Sequence, residues 1–407
     1  MEEESLICEY SGLPSLLTYN IKKIEMENVN SVAYVAKIDE IKEIVGADKI
    51  EQARIGGWNC IIQKGQYDVG DLVVVATTDA VIPESLSDAM NVTNYLRKGQ
   101  RVRTVKLRGV YSECLIIPIT YILQGVKRVE GADVMELLGV FKYEPPVKQI
   151  TLGSGRTIRY SENPNFLVYY KFPNQKNVPD MFNEEDYVQI TRKYHGTNAR
   201  YGIVKKIKLS FWDKVKKFFG FADEWIEYDY VYGSHNVEKG SDSQGFYSTD
   251  VWREIADKYE IKKKMWEFVK LHTAKEIGSG VTLYGEIYGA GIQKGYDYGL
   301  DEIKFAGFDV MWNGRYLSTD EAYFTITSNR IGFVGGVDLP HVEILYTGKW
   351  SKEVQDMFVV NNFIPGTKVP HEGIVVKSVS GERSKISKVI NNDYLMYGEK
   401  NEIGDSH

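Results

Sequence analysis

The sequence predicts an α+β protein: a small N-terminal β-barrel, then a domain of packed antiparallel sheets with flanking helices. Three observations carry this. From Asn30 to Ile119, short β-type runs alternate with glycine turns. A stretch rich in proline and glycine, 143–186, then interrupts the pattern. Beyond it come strand-like runs bearing isolated charges, with helical periodicities between them. At 407 residues the chain has room for two or three domains.

Composition excludes several classes. A 43% hydrophobic and 26% charged chain is an ordinary globular protein with enough apolar residues for a full core. Its net charge of -6 argues against a general nucleic-acid coat protein but leaves room for local basic surfaces. The three cysteines, Cys8, Cys60 and Cys114, are far apart, so neither a zinc site nor a disulfide framework is expected. No apolar run reaches membrane-spanning length, and Met1-Glu2-Glu3-Glu4 does not begin a signal peptide. The expectation is a soluble, intracellular (cytoplasmic) monomer with no membrane partner.

Taken in order, residues 1–30 read as an N-terminal extension without periodicity, and 31–142 as the barrel. Its strands are Ser31–Lys37, Ile61–Lys64, Leu72–Ala76 and Leu115–Ile119. Turns fall at Gly56-Gly57, Lys64-Gly65, Gly70-Asp71 and Gly109. Short strands closed this way favour an OB-type fold. The stretch from Ile44 to Glu51, leading to Gly56-Gly57-Trp58, is similar to tRNA-binding OB modules. The run Arg97–Gly109 holds six basic residues and no acidic one. Its side chains Arg101, Arg103, Lys106 and Arg108 are candidate RNA-phosphate contacts, with a merely solvated hairpin as the alternative.

Residues 143–186 read as a linker and approach segment, and 187–407 as the second domain, opened by a strand Tyr187–Thr191. Leu209, Trp212, Val215 and Phe219 fall at helical spacing, with Ser210 as N-cap, Gly220 as stop and Lys214, Lys216 and Lys217 interleaved, which predicts a packed surface helix, with an RNA clamp as the alternative. A longer helix is predicted over Val251–His272, with Trp252, Ile255 and Tyr259 on its core face.

The chemistry centres on Lys193-Tyr194-His195-Gly196-Thr197-Asn198. A lysine three residues before a glycine can serve as an amine nucleophile toward a nucleotide α-phosphate, provided that it is uncharged. Glycine would let phosphate oxygens approach the backbone, and Thr197 and Asn198 could bind ribose or a metal-bound water. The spacing alone is weak, since it recurs at Lys106, Lys217, Lys275 and Lys304. The Lys193 copy stands out because further elements follow it in order. Tyr232 to Asn236 supplies small polar groups and the imidazole of His235. Glu286 lies inside an apolar run, where a carboxylate is costly without a cation or hydroxyl. Phe305 to Asp309 sets aromatics beside small residues, suited to stacking a base. Glu372 to Lys377 then places Val375 and Lys377 on one strand face, so that one could cover a base while the other reaches its phosphates. Lys385 and Lys388 follow.

On these elements the chain resembles an ATP-dependent RNA ligase of the covalent nucleotidyltransferase superfamily, which also holds DNA ligases and mRNA capping enzymes. The resemblance covers about 175–395. It implies an adenylyltransferase domain that joins RNA 3′-OH and 5′-phosphate ends through a lysyl-AMP intermediate. Lys193 would be the nucleophile, and Lys377 and Lys388 would be catalytic, stabilising the pentavalent phosphate. Gly196, Thr197, Asn198, His235, Glu286, Phe305, Val375, Lys377 and Lys388 would bind ATP, with Phe305 and Val375 sandwiching adenine. Glu286 and Glu372 would hold Mg²⁺ or Mn²⁺. The partner implied is nicked or broken RNA.

The chain departs from the family pattern twice. Arg192 stands where relatives commonly have Glu, and a K-x-K motif is replaced by Lys385 and Lys388, of which Lys388 fits best. The alternatives are a capping-type guanylyltransferase and a non-catalytic RNA-binding protein with a degenerate transferase domain.

Overall fold

The computed structural model describes residues 31–122, 128–143, 163–235, 237–239, 250–328, 335–379 and 385–400. The extension 1–30, the Pro145-Pro146 and Gly153-Ser154-Gly155 part of the linker, Asn236 and Ser384 lie outside them. The chain divides into two compact units, Met1–Tyr143 and Glu144–His407.

The first unit contains β1 (Ala33–Lys37), β2 (Glu40–Glu43), β3 (Ile50–Ile55), β4 (Trp58–Gln63), β5 (Leu72–Thr77), β6 (Ala80–Val81), α1 (Glu84–Ala89), β7 (Val105–Leu107), β8 (Val110–Ser112), β9 (Cys114–Pro118) and β10 (Phe141–Lys142). Sheets run β1-β5-β9 and β2-β3-β4, with two-stranded pairs β6-β10 and β7-β8. The continuous run Val73-Val74-Val75-Ala76 has a physical reason. Val74 and Ala76 face one core with Val35 and Ile117, while Val73 and Val75 face another with Ile55, Trp58 and Ile116. A strand buried on both faces loses the polar alternation of a half-exposed one. Cys60 and Cys114 are both buried thiols in this barrel. The basic run is not one hairpin. Only its end forms β7 and β8, joined by Arg108 and Gly109 at φ 51° and 81°, a pair of left-handed residues that matches hairpin twist.

The second unit contains β11 (Tyr187–Lys193), β12 (Thr197–Lys205), α2 (Phe211–Phe218), β13 (Tyr228–Gly233), β14 (Glu238–Lys239), α3 (Val251–Lys258), α4 (Ile261–Val269), β15 (Gly280–Gly289), β16 (Ile303–Trp312), β17 (Arg315–Tyr316), α5 (Thr319–Thr327), β18 (Ile344–Lys349), β19 (Gly373–Ser378), β20 (Ile386–Ile390) and α6 (Asn392–Lys400). One antiparallel sheet runs β18-β11-β19-β20 and the other β14-β13-β12-β15-β16-β17. Helices α3, α4 and α5 cover one face of the larger sheet, where Trp252, Ile255, Met265, Phe268 and Ile326 meet Tyr201, Leu283 and Val310. Residues 163–186 are packed against this unit: Phe166, Tyr169 and Phe182 are buried, and the Lys388 N–H donates to the Pro173 carbonyl at 2.9 Å.

Two helix expectations are corrected. The predicted 251–272 helix is two helices, because Glu260 takes a left-handed φ of 51° and breaks the hydrogen-bond ladder. The helix near 209–219 forms as α2 with Ser210 as its capping residue and Gly220 at φ 72° after it. Its aromatic face is exposed rather than packed. Among the described residues, no helix is long and apolar enough to cross a membrane.

Candidate active site

Lys193 is the last residue of β11 and Thr197 the first of β12, so three residues, Tyr194-His195-Gly196, carry the chain from one sheet to the other. The lysine sits where the sheets meet. In register it lies opposite Gly373, next to Glu372 at the start of β19. Its Nζ is 2.6 Å from Glu372 Oε1. On the other sheet, Asn198 of β12 pairs with Glu286 of β15, and strand alternation sends both side chains to the same face.

Burial pushes the Glu286 carboxyl up to about 8, with Glu372 adding to the rise, against the pull of Lys193 and of the Gly196 N–H. Two buried oxygens, Glu372 Oε2 beside the lysine and Asn198 Oδ1 opposite Glu286 in register, have no hydrogen-bond partner among the described residues. Buried acceptors are costly to leave unmet, so the site is shaped for a group that supplies donors or positive charge.

The connecting tripeptide is held firmly. The His195 N–H donates to the Tyr298 hydroxyl, and Gln293 Nε2 donates to the Gly196 carbonyl. The His195 ring packs edge-on against Tyr296 and against Tyr394 of α6. Tyr194 stacks on Tyr288 at 4.3 Å. Gly196 is required for packing: a Cβ there would stand 2.2 Å from the Ile287 carbonyl oxygen and 2.9 Å from Glu286 Cγ. Gly196→Ala is therefore expected to cost about 3 kcal/mol of stability by overpacking, read as a lower urea midpoint.

The sequence profile of the RNA ligase family matches residues 186–390, half of the chain. The chain belongs to the RNA ligase family. An OB-fold domain profile matches residues 32–119. No curated protein matches significantly. Among solved structures, the chain is similar to Naegleria gruberi RNA ligase in several states. A mutant with AMP and Mn aligns at TM-score 0.68 and 23% identity, covering 91% of this chain and 99% of that one. A mutant with ATP and Mn gives 0.67 at 23%, covering 90% and 99%. The form with PPi gives 0.66 at 23%, covering 91% and 99%. At this identity the likeness is one of fold.

The RNA ligase motifs do not all converge. Lys193, Gly196, Asn198, Glu286 and Glu372 come together as described. Val375 is opposite Thr191 and beside Lys388 in register, on the face of the smaller sheet that also carries Lys193. Lys377 shares this face but lies four residues further along, opposite Gln189, which is roughly 13 Å of strand. Its ammonium donates to the Phe308 carbonyl at 2.8 Å and lies 3.3 Å from Asp309 Oδ2. Asp309 also accepts from the Tyr169 hydroxyl at 2.8 Å. Lys385 is drawn away to Asp186 at 2.6 Å. His235 follows Ser234, whose carbonyl accepts from Arg200 Nε at 2.8 Å.

Phe305 and Thr197 are corrected. Phe305 is 1% exposed, on the helix-covered face with Tyr201 and Tyr259; a residue filling the core cannot stack a base. Phe308 is the aromatic that reaches the other side. The β15–β16 register steps from Tyr284–Asp309 to Gly285–Gly307, leaving Phe308 bulged, and a bulge re-aims a side chain. Phe308 is half-exposed with the Lys377 ammonium 5.9 Å from its ring centre. Thr197 is buried and pairs with core residue Ile287, on the face opposite Asn198 and Glu286.

Arg192 points to the other face of β11 from Lys193 and is buried. Its Nε is 3.1 Å from Glu343 Oε2, and its Nη1 donates to Asn362 Oδ1 at 3.2 Å. An arginine there has thus acquired its own carboxylate. Sequence reasoning missed Arg200, Gln293, Tyr298 and Asp309 as supports of the site. Only Asp309 carried a signal, being an acid beside the aromatic motif.

His341 lies beside the Lys377–Asp309 pair on a segment bridged to Gly307. Burial pulls its imidazole down to about 4, with Lys377 adding to the effect. The unfolded chain therefore takes up this proton near pH 6.5 and the folded one only near 4. Stability from the neutral ring is complete above pH 6.5 and is lost as pH falls to 4. His341→Gln should flatten the urea-midpoint dependence in that window, by up to about 1.4 kcal/mol per pH unit.

In the barrel unit, the four candidate RNA contacts differ. Arg101 is half-buried, ion-paired with Asp79 and stacked on Tyr143. Arg103 donates from Nε to the Tyr95 carbonyl at 3.0 Å, Lys106 donates to the Tyr111 hydroxyl at 3.1 Å, and Arg108 occupies the exposed hairpin tip.

Proposed function

We propose that this RNA ligase family member is ATP-dependent and joins RNA 3′-OH and 5′-phosphate ends through a lysyl-AMP intermediate. The observation that carries this reading is Lys193 Nζ held 2.6 Å from Glu372 where the two sheets meet, with Glu286 alongside. The Lys193 amine, its proton shed to solvent, forms a bond to the α-phosphorus as the bond to pyrophosphate breaks. An RNA 5′-phosphate oxygen then attacks the same phosphorus, the N–P bond breaks and Lys193 regains its proton. Finally the 3′-OH attacks the RNA phosphate, loses its proton to solvent and expels AMP.

Glu286, Glu372 and Asn198 offer hard oxygen donors that suit Mg²⁺ or Mn²⁺, and two of those oxygens are buried without partners among the described residues. A divalent cation held there would draw the carboxylates off the Lys193 ammonium and lower its proton affinity. Val375 and Phe308 are the side chains for adenine, and Lys388 and Lys377 those for the phosphates. For Lys377 this requires release from Asp309 when nucleotide binds.

Mixing the full chain with α-labelled ATP or GTP and Mg²⁺ or Mn²⁺ tests the reading. Covalent label from ATP alone is expected. Label from GTP would identify a capping-type enzyme, and no label from either would identify a degenerate transferase.

The barrel's basic surface would position RNA through phosphates, without reading sequence. Because Arg101 is neutralised by Asp79, the expected contacts are Arg103, Lys106 and Arg108. Replacing these three by alanine should reduce the slope of log affinity against log salt by about two to three. An unchanged slope would mean that the RNA path lies elsewhere.

A further inference from the structure

Helix α2 is inverted relative to an ordinary surface helix. At 100° per residue, Phe218, Phe211, Val215, Phe219 and Trp212 fall within roughly 120° of its circumference. That arc faces solvent: Phe211, Trp212, Phe218 and Phe219 are 62% to 85% exposed, and Phe221 beyond the helix is 81% exposed. The polar face is the one tied to the protein. Asp213 accepts from Lys206 Nζ at 3.2 Å, and Lys217 pairs with Glu227. Lys214 and Lys216 flank the apolar arc on its two sides, and both are exposed. Residues 205–219 contain six lysines and one acid, Asp213, in a chain of net charge -6.

We propose that α2 docks the protein on an anionic lipid surface, its aromatic face lying among the acyl chains and its lysines among the headgroups. Three features select this occupant. Phenylalanine and tryptophan on one face with lysines at its edges form the pattern of a helix lying in a bilayer interface. A second copy on the same face would bring Lys214 and Lys216 against like charges. Successive bases of an RNA strand stack best on rings lying near parallel, whereas Phe211–Trp212 and Phe218–Phe219 meet edge to face at 73° and 89°. The absence of a membrane-spanning helix among the described residues is compatible with a segment that lies on the membrane.

The test is co-flotation of the full chain with vesicles of phosphatidylcholine alone or mixed with phosphatidylglycerol. Binding to the mixed vesicles and weak binding to the neutral ones are expected. Phe211→Ser/Phe218→Ser and, separately, Lys214→Glu/Lys216→Glu should each lower the bound fraction about tenfold. Both pairs are exposed and outside the nucleotide site, so covalent labelling by ATP should stay at the wild-type level and report that the chain is folded. No flotation of the wild type, or flotation unaffected by the aromatic pair, would overturn the proposal. So would loss of RNA binding or of self-association in those variants with lipid binding unchanged, since the face would then belong to RNA or to a second copy.

Discussion

Lys193→Ala is expected to abolish covalent labelling by α-labelled ATP, a loss of roughly 10⁴-fold or more, because no other amine takes its place. Lys193 is the only one of the five K-x-x-G lysines that stands beside Glu372, at 2.6 Å. Lys106 is on the barrel hairpin, Lys217 pairs with Glu227 on α2, Lys304 lies 3.9 Å from Glu302, and Lys275 is in a short helix at Ala274–Ile277. Alanine at any of those four should leave labelling intact. Lys193→Arg should be as inactive as alanine, since a guanidinium keeps its proton and cannot present a lone pair. Lys193→Ala also leaves the largely buried Glu372 carboxylate without its cation, so its urea midpoint should fall, whereas Lys193→Arg keeps a positive charge there and should stay nearer wild type. Normal labelling of Lys193→Ala would remove the nucleophile from this lysine, and with it the proposed reaction path.

Lys377→Met should cause the largest loss of stability, about 3–5 kcal/mol, because it strands a buried carboxylate. Asp309 is fully buried, and its Oδ2 has the Lys377 ammonium at 3.3 Å and the Tyr169 hydroxyl at 2.8 Å. The urea midpoint would show it. Adding Asp309→Asn removes the stranded charge while keeping an acceptor for Tyr169, so the double variant should recover most of the midpoint. Labelling by ATP should stay lost in that recovered protein, since the ammonium proposed for the phosphates is still missing. Wild-type labelling in the double variant would instead confine Lys377 to a structural part.

The residues proposed to carry the chemistry were legible because motif order survives in one dimension. Lys193, Glu286, Glu372 and Lys377 can be named without coordinates, as can the barrel, whose turns are written in glycine and whose central strand is a run of valines. Side-chain direction was not legible. Phe305 and Phe308 are three residues apart in one aromatic motif, and a single bulge opposite Tyr284 and Gly285 decides which of them reaches the Lys377 side. Gly196 looked like an opening for phosphate, yet the Ile287 carbonyl on a strand about ninety residues away is what excludes a side chain there. The helical spacing of Leu209, Trp212, Val215 and Phe219 announced an apolar face, and only the anchoring of Asp213 and Lys217 turned that face outward. In each case sequence alone determined which groups the chain possesses and their order along each element. Tertiary structure decided which face meets which neighbour, because bulges, close backbone contacts and ion pairs between distant segments act through space.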